Sequence, residues 1–358
     1  MLTALIVLLI ITVSVLVHEL AHYFNARRVG LSVRAFSIGF GPILWRKQWQ
    51  GTEWRISAIP LGGYVDLPGL AAEPDAYGNL QTPTHGFATK TLPQKLWVLV
   101  GGVIANFILA VILLAAAATL NPAFRTAGEV PLAIGFAAVV RGSPAEALGV
   151  RPGDLVLSVN GIAAPTPEML VGAFRQDGPL VLVLQRGDQQ VTLETHWAPT
   201  LNPDGSRPIF GVSIGMIPSE RVGFGQAALE SLSFMVRVVP EAVSGFVRAF
   251  GQTFIGQRTE EVAGPVGIVS AVGQAARAVG VAQILFLAGI INFSLAIFNL
   301  LPIPGLDGGR MLLAMVVAIR GKPFKPGQEE FIHFMGFVVL MAFIVLVTFG
   351  EVSELLRQ

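Results

Sequence analysis

The chain has 358 residues, of which 53% are hydrophobic and only 13% carry a formal charge, against roughly 45–50% and about 25% in soluble domains. That balance excludes an ordinary soluble globule and points to an integral membrane protein. A net charge of +1 leaves no nucleic-acid footprint, and the lack of cysteine excludes disulfides and thiolate ligands, so a metal would be held by histidine and carboxylate.

The first element is an apolar run from Leu2 to Phe24, expected as a membrane-spanning helix over residues 1–26. Inside it stands His18-Glu19-Leu20-Ala21-His22. An ionised group near the centre of a spanning helix costs roughly 2.5–3.5 kcal/mol. Something must offset that cost. Residues four apart share one helix face, so His18 and His22 can bind one metal together while Glu19 stands beside it to handle a proton.

Residues 27–95 form the next segment. Arg27, Arg28, Arg34, Arg46, Lys47, Arg55, Lys90 and Lys95 outweigh Glu53, Asp66, Glu73 and Asp75, which marks the loop as cytoplasmic. Within it, residues 43–59 read as short strands around a turn at Gly51-Thr52, a β-hairpin. A second span follows over residues 96–120.

Residues 125–200 change character, with short apolar runs, turns and interspersed charge, and read as a soluble α+β domain on the outer side. Ser143-Pro144 starts a short helix that Gly149 ends. Leu155 to Val159 reads as a strand closed by the turn Asn160-Gly161, and Val181 to Leu184 and Val191 to Thr195 as strands around Gly187-Asp188. The run from Gly142-Ser143-Pro144-Ala145-Glu146 through Gly149-Val150-Arg151-Pro152-Gly153-Asp154 to Val159-Asn160-Gly161 closely resembles PDZ domains. The resemblance implies a groove that takes a peptide terminus as an added strand. Ile134-Gly135-Phe136 stands where the carboxylate-binding loop is expected, with Val171, Ala173 and Phe174 placed to line the groove from the second helix.

Residues 201–280 include Phe224 to Phe254, largely apolar but carrying Glu230, Arg237, Glu241 and Arg248. They read as amphipathic helices lying on the outer surface. A third span, about Ile284 to Leu301, lies within residues 281–325, and a fourth, Phe331 to Phe349, within residues 326–358. Arg310, Arg320, Lys322 and Lys325 between them repeat the cytoplasmic signal, so both termini are expected outside.

Two histidines leave a catalytic metal one ligand short. The third span ends in Asn299-Leu300-Leu301-Pro302-Ile303-Pro304-Gly305-Leu306-Asp307-Gly308-Gly309, where two prolines break the helix and free backbone carbonyls. The first and third spans run in the same direction, and at 1.5 Å per residue His18 to His22 lie about 20–27 Å from the outer end of theirs. Asp307 follows a span of similar length. It is the expected third ligand, with a turn or helix cap as the ordinary alternative.

Taken together, His18-Glu19-Leu20-Ala21-His22, Gly39-Phe40-Gly41-Pro42, Pro60-Leu61-Gly62-Gly63-Tyr64-Val65, Gly101-Gly102 with Asn106-Phe107, Gly264-Pro265-Val266-Gly267 and the run Asn299 to Gly309 resemble the site-2 protease family of intramembrane zinc metalloproteases. Within it the chain is similar to the bacterial RseP and RasP group, and the single PDZ domain puts it nearer the RasP-like branch. The expected fold is a multi-span α-helical membrane protein with four transmembrane helices, a cytoplasmic-side β-hairpin loop and one inserted extracytoplasmic PDZ domain. The resemblance implies one zinc held by His18, His22 and Asp307, Glu19 as the proton-transfer group, and substrate contacts from Asn299, Gly62 and Gly63. For Asn106 helix packing is the simpler account, and His85, His196 and His333 lack ligand spacing.

The implied activity is cleavage of transmembrane segments of single-span proteins in the plasma membrane, toward the cytoplasmic leaflet, with lipid and peptide termini as further partners and no nucleic acid. A competing reading is a catalytically idle membrane scaffold that binds outer-side peptides. Glu19 discriminates, since a scaffold has no need of it. A metal transporter is disfavoured because only one polar cluster interrupts the spans.

Overall fold

The computed structural model describes residues 2–74, 77, 80–128, 130–199, 210–257, 262–278 and 280–357. Helix α1 (Leu2–Arg28) leads into strands β1 (Ala35–Trp49) and β2 (Thr52–Asp66), the short pair β3 (Glu73–Pro74) and β4 (Leu80–Gln81), and helix α2 (Leu92–Leu120). Next come β5 (Leu132–Val139), α3 (Pro144–Leu148), β6 (Leu155–Val159), β7 (Ile162–Ala163), α4 (Pro167–Ala173), β8 (Gly178–Arg186), β9 (Gln189–Trp197) and β10 (Val212–Pro218). The chain closes with α5 (Phe224–Phe254), α6 (Pro265–Arg277), α7 (Ala282–Leu300), α8 (Asp307–Arg320) and α9 (Gln328–Leu355). Among the described residues four helices are long and apolar enough to cross a bilayer: α1, α2, α7 and α9.

Two compact units emerge, one of Met1–Ala110, Val238–Ser270 and Ile291–Gln358, the other of Val111–Arg237 and Ala271–Ile290. In the first, β1 and β2 are longer than the sequence suggested and fold twice on each other. Residues 35–38 of β1 pair on one side with residues 53–56 of β2 and on the other with residues 63–66, while residues 43–49 extend the ladder beyond the turn. The strip 63–66 is therefore an edge. Tyr23, Phe36 and Trp54 pack edge-on and tilted at 4.7–6.0 Å beneath this sheet and anchor it to α1.

The second half of α5 belongs to the same unit. Phe246 lies 4.8 Å from Phe298 of α7 and 5.8 Å from Phe343 of α9, and Phe250 lies 5.3 Å from Phe343. This departs from the expected surface helices. One continuous 31-residue helix runs through Pro240, and its aromatic stripe is wide enough to pack among the spanning helices, while Glu241 and Arg248 on the outer face pair with each other at 3.0 Å.

The second unit is built on a sheet of order β10-β5-β6-β8-β9, with β7 beside β6. Ser143 and Thr166 cap α3 and α4, each with proline in the first turn, and Gly149 closes α3 in the left-handed region. The core gathers Phe136, Leu170, Leu180, Leu182, Leu184 and Trp197. Strand β10 lies inside the range expected to be helical. Its Val212-Ser213-Ile214 alternation half-buries one side against β5, which extends the β domain beyond residue 200.

Two charge clusters fix this unit. Asp154 is fully buried and takes Nε and Nη2 of Arg186 at 2.8 and 2.7 Å and the Arg151 amide at 2.9 Å. Arg125 grips Glu230 of α5 at 3.1 and 2.7 Å and the Glu220 carbonyl at 2.9 Å. Removing one partner of a buried pair leaves an uncompensated charge, so Asp154→Ala is expected to cost about 3–5 kcal/mol, read by thermal unfolding of the full chain. The donors from Arg125 and Gln226 hold the Glu230 carboxyl below its ordinary value of 4.5. A depressed carboxylate contributes stability above the unfolded value and loses it as pH falls through the folded one. The stability gap between wild type and Glu230→Gln therefore narrows as pH drops below about 4.5, which unfolding curves at pH 7 and pH 4 would check.

Candidate metal centre

On α1 the i, i+4 spacing places His18 and His22 on one face, 8% and 7% exposed. The two Nε2 atoms lie 3.1 Å apart. From the far end of the chain, Asp307 brings its Oδ2 to 3.0 Å from His18 Nε2 and 3.2 Å from His22 Nε2. The histidines and this carboxylate form a triangle of near-equal sides. A tetrahedral zinc with bonds of about 2.0 Å separates its ligands by about 3.3 Å, so the donor set fits the ion. Asp307 Oδ2 is also buried without a hydrogen-bond partner among the described residues.

Local sequence explains how Asp307 gets there. After α7 the chain turns at Pro302 and Pro304, with the Ile303 amide on the Leu301 carbonyl at 2.7 Å and the Leu306 amide on the Ile303 carbonyl at 3.1 Å. Helix α8 begins at Asp307 itself, so the carboxylate stands in the first turn of a helix, where negative charge is favoured. His333 of α9 secures the turn by accepting the Gly305 amide on Nδ1 at 2.9 Å.

Helix α2 supplies the backing of the histidines. Asn25 donates to the Trp97 carbonyl at 2.8 Å, and His22 Nδ1 lies 2.8 Å from the Val98 carbonyl oxygen. That carbonyl can only accept, so His22 carries a proton on Nδ1, and as a neutral imidazole it keeps the Nε2 lone pair toward the triangle. Gly102 lets the helices approach: a Cβ there would sit 2.5 Å from His18 Nε2. Asn106 reaches His18 Nδ1 at 3.3 Å.

Glu19, half-buried, turns toward the edge of the hairpin sheet and faces the Val65 amide. Gly63 packs beside it, where an added Cβ would meet Glu19 Cγ at 3.6 Å and the Ser37 carbonyl at 2.6 Å. Gly62 backs onto the Phe40 ring. Asn299 Nδ2 donates to the Leu295 carbonyl one turn earlier at 3.0 Å.

The carboxylate-loop assignment needs correction. Ile134, Gly135 and Phe136 lie in the interior strand β5, paired with Met216, Gly215 and Ile214 of β10 on one side, while β6 occupies the other. The Phe136 amide already donates to the Asp154 carbonyl at 2.9 Å and its side chain is fully buried. No amide row is left there for a peptide terminus. The last strand pairs beside the first, which chain order does not announce, and the free edge passes to β10. Ala173 and Phe174 pack on the core while Val171 is exposed.

The histidine backing was missed by sequence reasoning, since a backbone carbonyl at Val98 leaves no motif and Asn106 had only a packing role. His333 was missed because its partner is a main-chain amide. Gly102→Ala is expected to push the His18 ring aside and lower zinc per chain well below that of wild type, measured on the purified protein. Asp307→Ala should do the same by removing one corner of the triangle.

A family model described as peptidase family M50 matches residues 6–343. Three bacterial proteins named "Putative zinc metalloprotease" resemble the chain over nearly its whole length. The Agrobacterium fabrum protein is 30% identical over 367 residues, covering 98% of this chain and 95% of its own. That of Rhizobium meliloti is 31% identical over 375 residues, covering 97% and 96%, and that of Clostridium perfringens 30% over 363 residues, covering 96% and 97%. With the triangle of His18, His22 and Asp307 on apolar helices and a match across nearly all of its length, the chain belongs to peptidase family M50, the site-2 protease family.

Proposed function

We propose that the protein is an intramembrane zinc endopeptidase that cuts transmembrane segments of single-span membrane proteins. The observation that carries this reading is the His18–His22–Asp307 triangle, whose two histidines sit on an apolar helix with Glu19 between them in sequence. One zinc per chain would be held there by the two Nε2 atoms and Asp307 Oδ2. When bound it would supply a Lewis acid that polarises a peptide carbonyl and makes water a stronger acid at neutral pH.

Glu19 has the position to take a proton from attacking water and return it to the leaving amine. A spanning helix keeps its carbonyls bonded internally, so a substrate must open before it is cut. The edge strip 63–66 next to Glu19 offers main-chain partners to such an extended segment, which gives Gly62 and Gly63 a role in letting it approach. Asn299 would have to turn from the Leu295 carbonyl to touch substrate.

The charge pattern favours a multi-pass plasma-membrane protein with the site toward the cytoplasmic leaflet, lipid around its spans and no nucleic-acid partner. The β domain is read as a single extracytoplasmic PDZ domain of the RseP and RasP type that screens peptide termini of incoming substrates. Its groove is assigned to the free edge of β10, where Phe210 stacks on Phe174 at the end of α4 at 4.2 Å, rather than to Ile134–Phe136. Substrates trimmed beforehand, such as anti-sigma factors or signal-peptide remnants, fit this arrangement.

Cleavage of a single-span substrate in lipid vesicles tests the reading. Glu19→Gln is expected to keep its zinc and lose about 10²–10⁴-fold in rate. Equal rates for the variant and wild type would remove Glu19 as the base, and active protein without zinc would remove the metal.

A further inference from the structure

The two metal-side histidines are backed differently. His22 has the Val98 carbonyl behind it, which fixes its proton on Nδ1. Among the described residues no carbonyl takes that place behind His18. Its Nδ1 faces the carboxamide of Asn106, one helical turn beyond Gly102 on α2, with Nδ2 at 3.3 Å. Asn106 is 1% exposed, and its Oδ1 is buried with no hydrogen-bond partner among the described residues.

An unsatisfied buried amide oxygen costs on the order of 1–3 kcal/mol. The oxygen and nitrogen of a carboxamide exchange by a half-turn about its last torsion, and the hydrogen-bond network decides between them. Presented nitrogen-first, the amide demands that His18 carry its proton on Nε2, the atom that points at Asp307. Presented oxygen-first, it accepts from Nδ1–H, satisfies Oδ1 and leaves the Nε2 lone pair for a cation. Only the second arrangement is compatible with the triangle as a ligand set.

We infer that Asn106 is the positioning residue of His18, its Oδ1 accepting from Nδ1–H and holding the ring as the tautomer that binds a cation through Nε2. The inference rests on the zinc reading above. It makes α2 the common orienting element for both histidines, through Val98 for one and Asn106 for the other. Partners of this kind typically contribute 10–100-fold to metal affinity.

The test titrates zinc against a graded chelator in the full-length wild type, Asn106→Leu and Asn106→Asp, and records the visible spectrum of each after loading with Co²⁺. Leucine matches asparagine in shape but accepts nothing; aspartate keeps an acceptor oxygen in place. Asn106→Leu is expected to hold zinc about 10–100-fold more weakly with an altered Co²⁺ spectrum, and Asn106→Asp to stay within a few-fold of wild type. Wild-type affinity and spectrum in Asn106→Leu would overturn the inference. So would equal losses in both variants, which would make Asn106 a packing residue. A wild-type chain that takes up no zinc would overturn the zinc reading itself, a result distinct from either.

Discussion

The rest of the molecule is arranged around a polar triangle that an apolar helix cannot carry alone. His18, His22 and Asp307 are all largely withdrawn from solvent, and a lone imidazole or carboxylate in such surroundings is costly. Each becomes tolerable only because the others are present and because a second helix meets the backs of the rings. That requirement dictates the close seam of α1 and α2, where Asn25, His22 and His18 meet Trp97, Val98 and Asn106 in antiparallel order. Small residues at Gly101 and Gly102 are the steric condition for the seam. A methyl group there would occupy the space of Asn25 and of the His18 ring.

The same constraint explains the broken helix. The third corner of the triangle comes from an element that stops and restarts beside α1, and irregular backbone in an apolar setting has to bond to protein. The turn at Pro302–Leu306 solves this with two prolines that have no amide to satisfy, two short internal bonds, and the ring of His333 for the amide of Gly305. Asp307 then opens α8 at an end where the helix dipole favours a carboxylate.

How much of this could be read from residues alone depended on whether the information was contiguous. The histidine pair and Glu19 were legible because helical periodicity places them, and Asp307 because two prolines announce a break. Strands β6, β8 and β9 were legible from their turns. Strand β10 was not, because its partner β5 lies about eighty residues earlier and its short apolar alternation carries no hairpin signal. The misplacing of Ile134–Phe136 follows from that omission: without β10 the first strand of the domain looks like a free edge. Helix α5 was recognised as amphipathic, but whether its stripe faces lipid headgroups or Phe298 and Phe343 depends on tertiary packing. The roles of Val98, Asn106 and His333 are set by what lies opposite them.

The hairpin sheet gives the apolar setting its chemical meaning. On the proposed function, a segment opened for cleavage exposes amides and carbonyls that its own helix no longer bonds, at several kcal/mol for each left unmet. The strip 63–66 is bonded on one side to residues 35–38 and turns its other side, with the Val65 amide, toward Glu19. An edge strand is ordinarily a liability that proteins cover or charge. Here Glu19 stands against it instead, an acceptor with no donor of its own when ionised, and Gly63 within the strip carries no side chain to bar an approaching strand. The edge that would invite aggregation in a soluble protein thus becomes, beside the triangle, the element able to replace the hydrogen bonds a membrane segment must lose before it can be cut.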